Sequence, residues 1–347
     1  MEQPQGFSSK KFPGHVCRMK KALYGLKQAP HAWYGKVAQY FVFCGFKVSD
    51  SDSSLFTKLE SNKHILALLY VDDMIITGDD EAEISRLRTD LSVRFEMKNL
   101  GEVGYFLGLE IEKTKQGYFV SQRRYAAGLL ESFSMGESKD MATPMETNVK
   151  LKKDRGKILQ DARNFRQLVG SLVYLTITRP EISYSVSVIS QFMQNPKSHY
   201  LDAAKRILRY IKGFLEYGLM YKKNDSFLLS GYTDADWVGD ATDRRSTSGY
   251  CFDFGSAVVS WCSKKQPTVA LSSTEAEYIA ATMAAQECIW LKYLMGDMFG
   301  NINYAVQIKC DNESAIKLAS NPVFHGRTKH IEFRHHFVRE KSVKSRT

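Results

Sequence analysis

Residues 53–80 read SSLFTKLESNKHILALLYVDDMIITGDD, in which two apolar, β-rich runs, ILALLYV and MIITG, flank the adjacent acids Asp72 and Asp73. Runs of this composition on either side of a short acidic break predict two buried strands that reverse at the acids, a hairpin with carboxylates at its tip. Adjacent carboxylates repel one another unless a cation offsets them. Mg²⁺, which takes oxygen ligands and retains water, suits such a place. A plain Asp-Asp turn is the competing reading of the same spacing.

Upstream of the hairpin, the spacing of Ala32, Trp33, Val37, Tyr40 and Phe41 predicts a helix that starts after Pro30. Downstream, EAEISRLRTDLSVRFEM (81–97) reads as an amphipathic helix, and YFLGLEIEKTKQGYFVSQ (105–122) as strand, turn and strand with Gly117 in the turn. The middle of the chain changes character. RRYAAGLLESFSM, ARNFRQLVGSLVYLTIT, PEISYSVSVISQFMQN and SHYLDAAKRILRYIKG all carry helical spacing, with Pro180 placed to open the third and Gly213 to stop the fourth. In that fourth segment Lys205, Arg206, Arg209 and Lys212 give either a solvated helix face or a track for backbone phosphates.

From about residue 226 strand signals return as FLLSGYTDADW, STSGYCFDFG and AVVSWCSKK. A helix from Ser272 to about Met298, the strand AVQIKC and a helix from Asn312 to about Ser320 follow. Strands joined by short turns, then helix, strand and helix, describe a compact α/β module following an α+β segment. Asp234 ends the first of these strands, Glu277 lies one turn into the long helix, and Asp311 follows the last strand. Strand ends and a helix start are where an open sheet presents ligand groups, so the three carboxylates are candidates to converge on metal. Glu275 competes with Glu277 for this role. Ser272-Ser273-Thr274-Glu275, however, fits a capping box in which the Glu returns to the N-cap amide, leaving Glu277 without local duty.

Composition bounds these readings. The 347 residues suffice for two or three compact units, and 44% hydrophobic content with 8 prolines excludes a disordered chain. A net charge of +10 points to a polyanionic partner, and residues 323–347 alone carry seven Lys/Arg against two Glu. The six cysteines include no C-x-x-C pair, which argues against a zinc cage or disulfide scaffold. No apolar run approaches the roughly 20 residues of a membrane span, and the N-terminus has no signal-like apolar core. The expectation is a soluble intracellular protein of cytoplasm or nucleus, with no membrane partner.

The phrases KKALYGLKQAPHAWY, LLYVDDMIITG, YFLGLEI, LVGSLVYLTITRPEISYSV, AAKRILRYIKG, GYTDADWVGD, DRRSTSGYCF, SWCSKKQPTVALSSTEAEYIA, CDNESAI and RTKHIEFRHHFVRE run almost from end to end. In that order they resemble the pol polyprotein of copia-type LTR retrotransposons. The resemblance implies a partial reverse transcriptase palm over residues 1–145, a helical thumb and connection over 146–225, and a ribonuclease H-like domain over 226–347. It gives Asp72 the principal and Asp73 an accessory metal-ligand role, sets Tyr70 beside the primer and places Gln28 at the nucleotide or template. It makes Asp234, Glu277 and Asp311 three of four acids that hold two Mg²⁺ ions for cleavage of the RNA strand of a hybrid. Lys205, Arg206, Arg209 and Lys212, with Arg327 and Lys329 in the tail, would then contact RNA–DNA hybrid or primer–template.

The family's polymerase has a further catalytic aspartate upstream of a phrase like MEQPQGF, where this sequence begins. Its ribonuclease H region continues past HHFVRE to a fourth acid. The resemblance therefore predicts a fragment, short at both ends, that binds nucleic acid without extending a primer alone and takes dNTP only if the missing part is supplied. Two rival expectations stand beside it: a non-catalytic nucleic-acid-binding remnant, and a self-standing Mg²⁺-dependent hybrid nuclease.

Overall fold

The computed structural model describes residues 2–18, 23, 25–60, 62–146, 151, 156–223, 227–240 and 242–320. The chain divides into two compact units, Met1–Leu100 with Tyr293–Ile302, and Gly101–Lys292 with Asn303–Thr347.

In the first unit, helix α1 (Ala29–Phe43) leads into strands β1 (Lys47–Val48), β2 (Leu55–Glu60), β3 (Lys63–Tyr70) and β4 (Asp73–Gly78), followed by helix α2 (Glu81–Phe95). The four strands form one antiparallel sheet in sequence order. Helix α1 begins two residues earlier than the expected start after Pro30. Pro30 occupies its first turn, where a missing N–H costs nothing. Helix α2 is capped by the Asp80 carboxylate, which accepts from the Glu83 amide at 3.1 Å, and ends at Glu96 in the left-handed region. Val37, Tyr40 and Phe41 of α1 meet Phe56, Ile65, Ala67 and Leu69 of the sheet and Ile84, Leu87 and Leu91 of α2 in one core. Ala32, placed on the apolar stripe by its spacing, is exposed.

The expectation of two buried strands holds on one face of β3 only. Ile65, Ala67 and Leu69 are buried while Leu66 and Leu68 between them are half-buried, and Met74, Ile75 and Ile76 of β4 are half-buried. An antiparallel sheet with helices on one face leaves its other face partly to solvent, and β4 lies at the sheet edge.

The second unit contains two sheets and a helical body. Strands β5 (Tyr105–Phe106), β6 (Leu109–Lys113), β7 (Gly117–Ser121) and β8 (Leu219–Lys222) form an antiparallel sheet in that order. Gly117 lies at the start of β7 rather than in the turn. A Cβ there would sit 1.9 Å from the Tyr221 carbonyl oxygen and 2.9 Å from the Lys222 Cα, so the close approach of β8 is what requires glycine. Helices α3 (Arg123–Ser132), α4 (Ala162–Leu175), α5 (Ser183–Ser190, entered through a 3₁₀ turn at Pro180–Ile182) and α6 (Ser198–Gly213) pack around Phe165, Leu168, Leu172, Ile189, Ile207 and Leu208. Pro180 and Gly213 open and close their helices as their positions predict. The expectation of helix alone for 146–225 misses β8, which joins β7 across about a hundred residues of chain.

Strands β9 (Leu229–Ala235), β10 (Thr247–Phe254) and β11 (Ala257–Lys265), helix α7 (Ser273–Phe299), strand β12 (Gln307–Lys309) and helix α8 (Glu313–Ser320) complete the described chain. The sheet order is β11-β10-β9-β12, antiparallel except that β12 runs parallel to β9. Alanines at 276, 280 and 284 are fully buried along α7. The Trp261 indole on β11 donates to the Thr176 carbonyl at the end of α4, joining this sheet to the helical body within the unit.

Candidate functional site

The pairing of β9 with β12 decides where the C-terminal acids lie. Tyr232 is the register partner of Lys309 and the strands are parallel, so two residues further along each chain leaves at the same edge of the sheet with Asp234 and Asp311 as neighbours. Helix α7 brings Glu277 to that edge, where its Oε1 accepts from the Ala235 amide at 3.2 Å. The Cys310 thiol donates to Glu277 Oε2 at 3.9 Å. Ligand atoms of Glu277, Cys310 and Asp311 all lie within 4.8 Å of one another. Asp234 and Asp311 are exposed, whereas Glu277 is 6% exposed. Burial, and then the charges of Asp234 and Asp311, push the Glu277 carboxyl up to about 7 against the opposing pull of the Ala235 amide.

Glu275 follows the capping role, with a shift of one residue. Ser272 Oγ accepts from the Glu275 amide at 3.1 Å, and the Glu275 carboxylate accepts from the Leu271 amide at 2.8 Å rather than from the N-cap amide. Asp236 is structural, accepting from the Thr247 amide while its own amide donates to the Thr247 carbonyl. Glu275 is thus engaged at the helix start, whereas Glu277 reaches the sheet edge. The donor chemistry fits a hard divalent cation: the Glu277 and Asp311 carboxylates lie together, Asp234 is near enough for its charge to raise the Glu277 carboxyl, and such repulsion is what an ion offsets. In the sequence Cys310 is a single thiol before an Asp and carries no spacing signal.

The second cluster is the hairpin tip. Tyr70 pairs with Asp73, so Val71 and Asp72 form a two-residue connection between β3 and β4. Both acids and Tyr70 are exposed. Val71 has φ +49°, a left-handed conformation that a β-branched residue adopts at a cost of order 1–3 kcal/mol. The Trp33 indole N–H on α1 donates to the Val71 carbonyl at 2.7 Å. Gln28 stands exposed at the start of the same helix, its carbonyl accepting from the Ala32 amide at 3.0 Å. Trp33 enters the sequence reading only as part of an apolar stripe, because a contact 38 residues distant leaves no local pattern.

On α6, Arg206 binds Glu146 at 2.8 Å and Thr143 Oγ1 at 2.9 Å, and Lys212 binds Asp140 at 3.2 Å and the Ser138 carbonyl at 2.7 Å. Arg209 is half-buried and Lys205 is exposed. Arg327 and Lys329 lie outside the described residues. Among the described residues, no helix is long and apolar enough to cross a membrane.

Residues 1–147 match the family described as reverse transcriptase (RNA-dependent DNA polymerase). Over 98% of its length the chain is 44% identical to the retrovirus-related Pol polyprotein from transposon RE2 of Arabidopsis thaliana. It is 41% identical, again over 98%, to that from transposon TNT 1-94 of Nicotiana tabacum. It spans 23% and 26% of those two proteins. A putative transposon Ty5-1 protein of Saccharomyces cerevisiae is 31% identical over 83% of this chain and 94% of its own length. The order of the phrases, the match to reverse transcriptase and these identities agree, and the chain belongs to the Pol polyprotein family of copia-type retrotransposons, with a reverse transcriptase region in its first 147 residues.

Proposed function

We propose that the C-terminal sheet is a ribonuclease H-type nuclease that cleaves the RNA strand of an RNA–DNA hybrid, and that the Asp72/Asp73 hairpin is part of the polymerase metal site of the same Pol polyprotein. The observation that carries the nuclease reading is the parallel register of β9 and β12, which sets Asp234 beside Asp311 with Glu277 from α7 between helix and sheet edge. Bound there, Mg²⁺ would activate a water and stabilise the leaving oxygen of the cleaved phosphodiester. The protein's part is positional. The Ala235 amide fixes one oxygen of Glu277, and burial on α7 limits its rotation, while the exposed Asp234 and Asp311 leave the site open to a phosphate backbone.

Hybrid recognition in this reading rests on shape, through phosphate and 2′-hydroxyl contacts. A net charge of +10 supports it. On α6 the exposed Lys205 is the residue best placed to meet phosphate, since Arg206 and Lys212 already hold Glu146 and Asp140. The palm, thumb and connection, and ribonuclease H divisions at about residues 145 and 225 belong to the same proposal.

A hybrid with 5′-labelled RNA, incubated with the purified chain and Mg²⁺, is expected to yield shortened RNA. The Asp234→Asn variant is expected to be slower by roughly 10²–10³-fold. Cleavage that persists in EDTA, or at an unchanged rate in Asp234→Asn, contradicts the assignment. Hybrid binding without cleavage favours a non-catalytic binding protein.

A further inference from the structure

The connection between β3 and β4 holds its acids in an unusual way. Val71 is β-branched, sits at φ +49° and is exposed, so the packing of its own side chain does not impose this conformation. The Val71 carbonyl shares a rigid peptide plane with the Asp72 amide, so holding that oxygen also restrains the position of the Asp72 Cα, from which the side chain departs. The 2.7 Å bond from the Trp33 indole supplies this restraint. Trp33 is itself held, its ring edge-on to Phe95 at 5.5 Å, and Phe95 is edge-on to the buried Tyr40 at 5.7 Å. Two helices of the first unit thus hold a post against the tip of the hairpin.

We propose that Trp33 is a positioning residue of this hairpin: its indole N–H locks the Val71–Asp72 peptide and thereby aims the Asp72 carboxylate for a divalent cation. The role rests on the proposed reading of Asp72 as a metal ligand, and adds to it a residue that touches neither cation nor nucleic acid. Trp33→Phe keeps an aromatic ring against Phe95 and removes the donor. Replacement of Trp33 by β-(3-benzothienyl)alanine, in which sulfur stands for the N–H, keeps the ring shape as well and serves if the Phe variant does not fold.

The test uses the full chain with Asp234→Asn and Asp311→Asn, which silence the other acid cluster, and Mn²⁺ as the probe, free ion being followed by its electron paramagnetic resonance. Both Trp33 variants are expected to bind Mn²⁺ about 10-fold more weakly than this parent, with an unchanged unfolding temperature. In the metal-free parent the Trp33 indole proton is expected to exchange with solvent more slowly than that of an exposed tryptophan. Unchanged Mn²⁺ affinity in the donor-less variants, or an indole proton that exchanges freely, overturns the positioning role. Mn²⁺ affinity that Asp72→Asn leaves unaltered overturns the metal reading of the hairpin and the proposal built on it, while a protected indole proton would still record the Trp33–Val71 bond.

Discussion

Glu277→Gln is expected to slow Mg²⁺-dependent hybrid cleavage by roughly 10³-fold, and at the same time to make the metal-free protein more stable at pH 8. The two effects have one cause. Glu277 is buried beside Asp234 and Asp311, so its carboxyl is raised from an ordinary 4.5 to about 7 in the folded protein. Below pH 4.5 it is protonated whether the chain is folded or not. As pH rises from 4.5 to 7 the unfolded chain gives up the proton first, and folding stability falls through that window to a lower plateau above it. The interval corresponds to about 3 kcal/mol. Glutamine is neutral at every pH and has nearly the same shape, so the variant avoids this cost. Urea unfolding should show little difference at pH 4.5 and a gain for the variant that approaches this size at pH 8. Added Mg²⁺ should stabilise wild type more than the variant, which keeps the Asp72 hairpin but loses a carboxylate at the sheet edge. A variant less stable than wild type at pH 8 contradicts the electrostatic account.

Glu181→Gln is expected to destabilise the second unit by about 3 kcal/mol, the low end for loss of one partner of a buried ion pair because Glu181 is 32% exposed. Its partner Arg179 is 2% exposed and donates from Nε to Glu181 at 2.5 Å. The guanidinium lies 5.9 Å from the Tyr210 ring and 5.4 Å from the Tyr217 ring, and its Nη2 has no hydrogen-bond partner. Replacing the Glu181 carboxylate by a neutral amide leaves the buried guanidinium without its counter-charge, beside two aromatic rings. The double change Arg179→Met with Glu181→Gln removes that charge as well, and should recover much of the loss. A double variant less stable than Glu181→Gln in equilibrium unfolding contradicts this view of the pair.

Local patterns were legible wherever the physics is local. Helix α6 coincides with the segment marked out by its apolar period between Lys197 and Gly213, and the β3–β4 hairpin follows from two apolar runs around a break. The places of Asp234 and Asp311 at strand ends and of Glu277 near a helix start were legible because strand ends and helix starts can be placed from sequence. The capping box also explains why Glu275, two residues from Glu277, has other work. What the pattern did not carry is long-range. Strand β8 is four residues long, and its partner β7 lies far away in the chain. Gly117 resembles a turn glycine until the Tyr221 carbonyl is seen against it. Arg206 and Lys212 look like a free basic face until residues 138–146 fold onto them. Trp33 is the clearest instance: the helical period explains its place in α1, and only the folded first unit reveals the carbonyl it holds.

In the proposed nuclease Asp234, Glu277 and Asp311 form a divalent-cation site. Crystals of the full chain grown with Mn²⁺, with diffraction measured near the manganese absorption edge, test it most directly. An anomalous peak is expected within coordination distance of carboxylate oxygens from all three residues, and is expected to be lost in Asp234→Asn. Manganese found elsewhere on the protein with none at this sheet edge, or a peak that survives in Asp234→Asn, would contradict it.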